Sequence, residues 1–267
     1  MFIYFFFLNI SILLQNINNK MKKILITLKI VIDTEESSKE KDDKNKLSRI
    51  IDKIDEANIT EAIEFKKRYA DTNITVVSIS DSSNKDILKY ALAMGANEAI
   101  FFNVINSNLS KLDGLNIAKI LRRLITIEKY DLVLVGTQSS DTEGGFVGPA
   151  LAGLLNWTQL NGVKKLDEMN NNNLTVQCIL KCGHAKVILP LPCVLICDFK
   201  IVNMKIIGII DLLKAKKRKI RIKTLHKLNI QINTQVNSTI KRLPSTERRH
   251  EIISGIKELM NLIVKKW

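Results

Sequence analysis

Residues 131–155 constrain the fold more than any other stretch of the chain. They read Asp-Leu-Val-Leu-Val-Gly, then a polar loop, then an apolar run at helical spacing that ends at Leu155. The pattern predicts a buried parallel strand, a turn and a helix. Open α/β sheets bind ligands at the carboxyl ends of strands, and the N–H groups of a helix N-terminus attract phosphate. The stretch therefore indicates either a nucleotide-binding turn or an ordinary turn without a ligand.

Strands and helices alternate through residue 155. A glycine ends one helix at Gly95, and Asp81 is a suitable N-cap for the same helix. Such alternation is typical of an α/β fold with a doubly wound, mostly parallel sheet and helices on both faces. The predicted strands cover residues 23–31, 73–79, 98–103 and 131–136, and the predicted helices cover residues 55–70, 85–94 and 117–128, with a charged loop at 35–46.

The pattern changes after residue 155. Short strands at 161–168, 174–181 and 185–189 predict a small antiparallel meander added to the parallel sheet, with His184 in a turn and a buried strand at 193–199 after it. A capping signal at 245–247 precedes a predicted helix at 251–266. We expect an α/β domain over residues 21–223 and a C-terminal arm over residues 224–267, because the arm is too small to bury a core alone.

The first twenty residues differ from the rest. Their apolar part, residues 1–14, is shorter than the roughly 20 residues that a spanning helix needs. It lacks a basic start, and no small-residue cleavage site follows it. We expect residues 1–20 to be a leader outside the fold, with translation starting at Met21. A membrane anchor is the alternative, and it is the less favoured one.

The chain carries a formal net charge of +14, mostly from lysine. Because Lys, Asn and Ile are frequent throughout, this charge is weak evidence for a nucleic-acid partner. The run 214–223 holds seven basic residues, but no aromatic residue interrupts it to provide a stacking platform. It is interpreted as a solvated segment or an electrostatic guide for an acidic partner. A basic nucleic-acid-binding α/β protein remains the rival hypothesis.

The four cysteines form two C-x3-C pairs, Cys178 with Cys182 and Cys193 with Cys197. On strands, such spacing puts each pair on one face, so a metal site is conceivable. Their apolar surroundings favour buried free thiols instead, and no metal site is expected. The sequence contains no Walker loop, no full Gly-x-Gly-x-x-Gly and no nucleophile elbow. We therefore expect no catalytic residues.

Four segments in order resemble the β subunit of the electron transfer flavoproteins. The first strand with Lys29-Ile-Val-Ile-Asp33 is similar to the opening Val-Lys-Arg-Val-Ile/Val-Asp of the family. Ala91-Leu-Ala-Met-Gly-Ala96 and Gly136-x-Gln138-x-x-Asp141 resemble its Ala-Leu-Ala-Met-Gly-Ala and Gly-Lys-Gln-Ala-Ile-Asp segments. Leu191-Pro-Cys-Val-Leu-Ile-Cys-Asp198, with the later Lys214-Ala-Lys-Lys-Arg-Lys219, completes the match.

The resemblance implies that this chain is one subunit of a heterodimer that binds FAD. An electron transfer flavoprotein alpha subunit would hold most of the FAD, and this chain would offer a site for AMP. Gln138 and Asp141 suit nucleotide hydrogen bonds, although they also suit a plain turn. The residues implied to bind the cofactors are Thr27, Lys29, Gly136, Gln138, Asp141, Gly144, Gly145 and Gly148.

The resemblance also implies electron transfer from acyl-CoA dehydrogenases and related flavin dehydrogenases to a quinone reductase. Ile209 would be the apolar anchor of the dehydrogenase-docking segment, with Lys214 and Lys216 beside it. The arm would wrap the alpha subunit. Location would be cytoplasmic in a bacterium or the mitochondrial matrix in a eukaryote, without membrane insertion. A degenerate relative with only a structural role is a further alternative.

Overall fold

A computed structural model describes residues 22–33, 48–104, 112–170, 172–199, 207–225, 253 and 255–266. The predicted leader at 1–20 and the charged loop at 35–46 lie outside these residues. The described strands are β1 (Lys22–Leu28), β2 (Ile30–Ile32), β3 (Arg49–Ile51), β4 (Thr72–Ser80), β5 (Glu98–Asn103), β6 (Leu132–Gly136), β7 (Thr158–Asn170), β8 (Asn173–Leu180), β9 (Gly183–Pro190), β10 (Cys193–Cys197) and β11 (Arg221–Thr224). The described α-helices are α1 (Lys53–Arg68), α2 (Leu88–Met94), α3 (Gly114–Glu128), α4 (Val147–Leu155), α5 (Ile209–Lys217) and α6 (Ile256–Lys266), and a 3-10 helix covers Ser82–Ile87.

The central sheet has nine strands in the order β11-β5-β4-β1-β6-β10-β7-β8-β9. The strands from β11 to β7 run parallel, and β8 and β9 continue the sheet in antiparallel pairing. The chain builds outward from β1 to β4 and β5, then returns to place β6 on the other side of β1. The carboxyl ends of β1 and β6 therefore form the switch point of the sheet, where α/β proteins bind ligands.

Alternating residues of the parallel strands feed two cores. In β1, Ile24 and Ile26 belong to one buried cluster, which contains the inner faces of α1 and α2. Leu25, between them, belongs to the opposite cluster with α3 and α4. A strand buried on both faces must be apolar throughout, which explains the continuous apolar runs. The prediction of a doubly wound sheet covered on both faces is confirmed.

The predicted first strand over residues 23–31 is wrong in one respect, because the chain leaves the main sheet at Lys29. The Lys29 N–H donates to Asp55 Oδ2 at 2.7 Å, and its carbonyl accepts from the Asp52 N–H at 2.9 Å. The start of α1 thus replaces a neighbouring strand as the partner of this residue. Beyond it, β2 pairs antiparallel with β3 in a separate two-stranded sheet.

The meander is confirmed, although β7 and β9 are longer than predicted, and two local predictions there are wrong. His184 lies in β9, where it pairs with Ile179, and not in a turn. Cys182 is exposed, while the other three cysteines are buried, and all four are free. Within the described residues, no group of three or more His, Cys, Asp or Glu side chains is arranged for a metal ion.

Two helix predictions also change in detail. Asp81 does act as an N-cap, accepting from the Ser83 N–H at 3.0 Å, but the segment it caps is the 3-10 helix that leads into α2. The predicted helix 251–266 is described from Ile256 onward as α6.

By its internal contacts the chain divides into two units, Met1–Val236 and Asn237–Trp267, whereas the predicted boundary at residue 223 stays a prediction. No helix in the described part of the chain has the length and apolar character needed to cross a bilayer.

Candidate functional site

A cavity of about 450 Å³ lies at the switch point of the sheet. Its floor is made by the carboxyl ends of β1 and β6, and one wall is the first turns of α3. The loop between β6 and α4, residues 137–146, also lines the cavity. A volume of this size is in the range of pockets that hold small molecules.

The cavity has two chemically distinct halves. Side chains of β4, α3 and β6 make an apolar half, with Val77 and Ile79 on the sheet and Ile117 and Leu121 on the helix. The polar half is formed by the end of β1, the start of α1 and the 137–146 loop. It includes Lys29, Asp55, Gln138, Ser139 and Thr142. A ligand with one apolar end and one polar end would match this division.

Lys29 ties the loop to the end of β1. Its ammonium donates to Ser139 Oγ at 3.0 Å and Thr142 Oγ1 at 3.1 Å, and it forms an ion pair with Asp141 Oδ1 at 2.5 Å. Burial would raise the pKa of the Asp141 carboxyl, but hydrogen bonds from Lys29 and Ser139 outweigh it and lower the pKa. Both members of the pair are about two-fifths exposed, so the pair contributes little to stability and mainly fixes the loop geometry.

Asp52 holds the same loop from the other side. It is the N-cap of α1, accepting from the Ile54 N–H at 3.2 Å. Its second oxygen accepts from the Ser140 N–H at 2.7 Å and the Ser140 hydroxyl at 2.9 Å. Because Asp52 is only 2% exposed, these charge-assisted bonds lie in a shielded setting, where each is worth more than a surface contact.

Asp55 is a buried carboxyl at the floor of the cavity. Burial raises its pKa to about 8, against the lowering effect of the Lys29 N–H, and the nearby Asp52 charge raises it further. The side chain is therefore mostly protonated at neutral pH. Close packing explains the adjacent glycine, since a Cβ on Gly136 would lie 3.0 Å from Asp55 Oδ1 and 3.1 Å from Ile54 Cγ2.

The structure brings most of the predicted cofactor residues together. Thr27, Gly144 and Gly145 line the cavity with Lys29, Gly136 and Gln138, and Asp141 reaches it through the Lys29 ion pair. Gly145 has φ +56°, a conformation that favours glycine.

Gly148 is placed differently. It is a buried residue of the first turn of α4, and a Cβ there would lie 2.7 Å from Ile196 Cγ1, so its visible role is close packing of α4 on β10. The assignment of these residues to a cofactor stays a prediction.

Reasoning from the sequence missed Asp52, Asp55, Ser139, Ser140 and Thr142. Asp52 could have been found, because an aspartate directly before a predicted helix is a common N-cap. Asp55 gave no such signal, since an acidic residue in the first helical turn normally faces water and favours the helix dipole. The serines and the threonine are ordinary loop residues in the sequence.

The predicted docking residues lie on α5, away from the cavity lining. Ile209 is 76% exposed, and Lys214 and Lys216 are exposed as well. Ala215 is the only buried residue of this helix. Arg218, just after α5, donates to the Ala96 carbonyl at 2.8 Å and to the Asn97 carbonyl, which fastens the end of α5 to the turn before β5.

The fold is that of doubly wound α/β proteins, whose ligands bind where this cavity lies. A family model described as "Electron transfer flavoprotein domain" matches residues 43–227. The chain therefore belongs to the electron transfer flavoprotein family.

Three curated relatives show the extent of the similarity. The beta subunit of Dictyostelium discoideum is 27% identical over 216 residues, which cover 79% of this chain and 84% of that protein. The mitochondrial beta subunit of Oryza sativa subsp. indica is 28% identical, with 90% and 96% coverage. The Homo sapiens beta subunit is 24% identical, with 89% and 97% coverage. The resemblance stated from the four sequence segments is confirmed.

Proposed function

We propose that this chain is the beta subunit of a heterodimer that carries electrons on one FAD. In this proposal an alpha subunit holds most of the FAD, and the chain passes electrons from acyl-CoA and related flavin dehydrogenases to a quinone reductase. The observation that carries the proposal is the family match over residues 43–227. FAD supplies the redox chemistry, and the protein positions and shields it. The chain acts as a carrier subunit and not as an enzyme with catalytic residues of its own.

The cavity at the switch point is the proposed site for AMP. Its volume suits a mononucleotide, and its polar half offers hydroxyl groups and the amide of Gln138 to a ribose phosphate. The protonated state of Asp55 supports the proposal, because a neutral carboxyl on the cavity floor does not repel an anion. The loop bonds to Lys29 and Asp52 hold this site in shape before a ligand arrives.

Helix α5 is the proposed docking surface for the dehydrogenase. Ile209, Ile210 and Leu213 are each more than half exposed, which is unusual for neighbouring aliphatic residues on one helix. Lys214 and Lys216 extend this surface with positive charge, which would steer an acidic partner. One apolar anchor of this kind can carry much of the affinity of a transient complex.

The contacts of the basic run at residues 214–223 argue against nucleic-acid binding, because several of its cations already have partners within the chain. Arg218 is committed to two backbone carbonyls. Arg221 pairs with Glu98 at 2.8 Å and also with Glu128, and Lys223 pairs with Glu128 at 2.5 Å. These contacts fasten β11 to the sheet edge. Lys214, Lys216, Lys217 and Lys219 are exposed, and Arg221 is exposed despite its ion pairs.

The test is co-expression of the full-length chain with an electron transfer flavoprotein alpha subunit, followed by purification and an absorption spectrum. We expect a one-to-one complex with one FAD that an acyl-CoA dehydrogenase and its substrate reduce. A colourless chain that stays alone would contradict the proposal. A stable complex whose flavin no dehydrogenase reduces would instead support a degenerate relative with a structural role. Localisation of a tagged chain to the matrix or the cytoplasm is the matching test in cells.

A further inference from the structure

Helix α5 has little apolar contact with the rest of the protein. Ala215 is its only buried residue, while Ile207 before the helix and Ile220 after it are partly buried against the core. Apolar burial is not directional, so these contacts hold α5 near the core without fixing its angle. Gly208, its N-cap, has no side chain that could bond the first turn. Directional contacts at the other end of the helix then decide its orientation.

Lys89 of α2 caps the carboxyl end of α5. Its ammonium donates to the Lys216 carbonyl at 3.1 Å and also to the Arg218 carbonyl. The last carbonyls of a helix have no partner within it, and the helix dipole makes this end negative, so a cation from another element suits them. Because the neighbouring residue Leu88 is fully buried, Lys89 fastens this end of α5 to an element fixed in the core.

Arg218 makes the reciprocal connection from α5 to the turn between α2 and β5. Its guanidinium donates to the Ala96 carbonyl at 2.8 Å and to the Asn97 carbonyl. The Asn97 side chain is held in turn, because its Oδ1 accepts from Lys66 Nζ at 2.7 Å and from the Ile74 N–H at 3.0 Å. A planar guanidinium on two carbonyls fixes an angle as well as a distance.

We propose that Lys89 and Arg218 are positioning residues for the dehydrogenase-docking surface, because they fix the angle at which α5 presents Ile209. This inference rests on the proposed docking role of α5 and adds the residues that orient it. Ile209 is the first residue of this nine-residue helix, and the contacts of Lys89 and Arg218 lie at its last turn. At about 1.5 Å per residue the two ends are about 12 Å apart, so a tilt of about 10° moves Ile209 by about 2 Å. Such a displacement removes an apolar anchor from a well-packed pocket on the partner.

The experiment measures the apparent KM and the kcat of the full-length heterodimer in dehydrogenase-driven flavin reduction. Lys89→Met and Arg218→Met each remove one of the two positioning cations, and Lys89→Arg keeps a cation at the first position. Lys85→Met is the matched control. It removes the same charge four residues earlier, and the Lys85 ammonium makes no hydrogen bond to α5 in the part of the chain that the structure describes. Ile209→Ala reports on the docking surface itself, and FAD content and circular dichroism check assembly and folding.

Loss of either positioning cation should weaken docking without altering electron transfer in the docked complex. We expect the KM to rise about threefold in Lys89→Met and about fivefold in Arg218→Met, with kcat and FAD content unchanged. Lys89→Arg and Lys85→Met should keep the wild-type KM. The ratio of variant to wild-type KM should persist at high salt, since a lost orientation is not screened. Lys89→Met should add little to Ile209→Ala, because both variants remove the same contact.

The other outcomes separate the two levels of the proposal. If Ile209→Ala raises the KM while Lys89→Met and Arg218→Met keep the wild-type value, the positioning role is wrong and the docking surface stands. If Ile209→Ala itself keeps the wild-type KM, the docking role of α5 is wrong and the inference falls with it.

Three further results would overturn the inference alone. An equal rise of the KM in Lys85→Met and Lys89→Met that disappears at high salt would show that these lysines only steer the partner by charge. A full multiplication of the Lys89→Met and Ile209→Ala effects would show that Lys89 acts independently of the anchor. Loss of FAD or of the complex in both Lys89→Met and Arg218→Met would show a general structural role.

Discussion

The 137–146 loop and helix α5 present opposite solutions to holding functional residues. The loop is irregular, yet Lys29 and Asp52 fix it through side-chain bonds from two other elements. Helix α5 is regular, yet it buries only Ala215 and leaves its aliphatic residues in water. The first arrangement is an internal site formed before binding. The second is a surface that becomes complete only against a partner.

This contrast predicts where mutations act. Changes around the loop should alter the free energy of unfolding and nucleotide binding together, because buried carboxylates support both. Changes on α5 should leave stability unaltered and affect only the encounter with a dehydrogenase.

The largest effect should come from the proton on Asp55. Burial raises the pKa of Asp55 in the folded state from the ordinary 3.8 to about 8. The protonated carboxyl therefore makes its full contribution to the free energy of unfolding below pH 4, and this contribution is lost as the pH rises to 8. The loss is about 1.4 kcal/mol per pH unit within that window. Relative to Asp55→Asn, the wild type should therefore lose about 3 kcal/mol between pH 5 and pH 7, measured by urea unfolding.

Asp141→Asn is the matched control for this pH series. The pKa of Asp141 is lowered, so its contribution to stability is lost only in more acidic solution and is constant from pH 5 to pH 7. Its unfolding free energy should run parallel to that of the wild type across this range. A constant difference between the wild type and Asp55→Asn would show that the Asp55 carboxyl is already ionised at pH 5, against this account.

Asp52→Ala should lower the free energy of unfolding by about 3 kcal/mol, because it removes the N-cap of α1 and leaves the Ser140 N–H without its buried acceptor. Asp113→Ala is the control, since Asp113 caps α3 by accepting from the Asn116 N–H at 2.8 Å and makes no comparable loop bond to the residues that the structure describes. It should cost about 1 kcal/mol. Equal losses in urea unfolding would refute the role of Asp52 as a loop anchor.

Two glycines of α4 should respond in opposite directions. Gly148→Ala should destabilise the fold by about 2 kcal/mol, because the new Cβ meets Ile196 on β10. Gly153→Ala has open space around its Cβ and should stabilise the helix by about 0.5 kcal/mol. Thermal unfolding of both variants tests the packing role. An unaltered melting temperature in Gly148→Ala, together with weaker AMP binding, would assign Gly148 to the ligand instead.

The smallest effect on stability should come from Ile209→Ala, at less than about 0.5 kcal/mol, because the side chain is exposed. The apparent KM for the heterodimer in dehydrogenase-driven flavin reduction should rise several-fold. Ile222→Ala removes an equally aliphatic, 56% exposed side chain on β11 and should leave this KM unchanged. A normal KM for Ile209→Ala would remove α5 as the docking surface.

The fold was predictable because its signals are local and repeated. Continuous apolar runs such as residues 132–135 identify strands buried on both faces, and Gly95 ends a helix where the sequence indicates it.

The break at Lys29 was not predictable, because it depends on a bond to Asp55, 26 residues further along the chain. The glycines and Gln138 were expected at the site because residues 136–141 resemble the loop of the family, and their assignment to a cofactor stays a prediction. The carboxylates that support the loop did not, since their burial is a property of the packed α1 helix.

The most direct test of the central account is the nucleotide content of the purified heterodimer. The complex is denatured, and the released nucleotides are separated and counted per chain. We expect one FAD and one adenine mononucleotide per heterodimer, or uptake of one AMP by a complex that lost it during purification. A complex that carries FAD alone and takes up no AMP at millimolar concentration would contradict the assignment of the switch-point cavity.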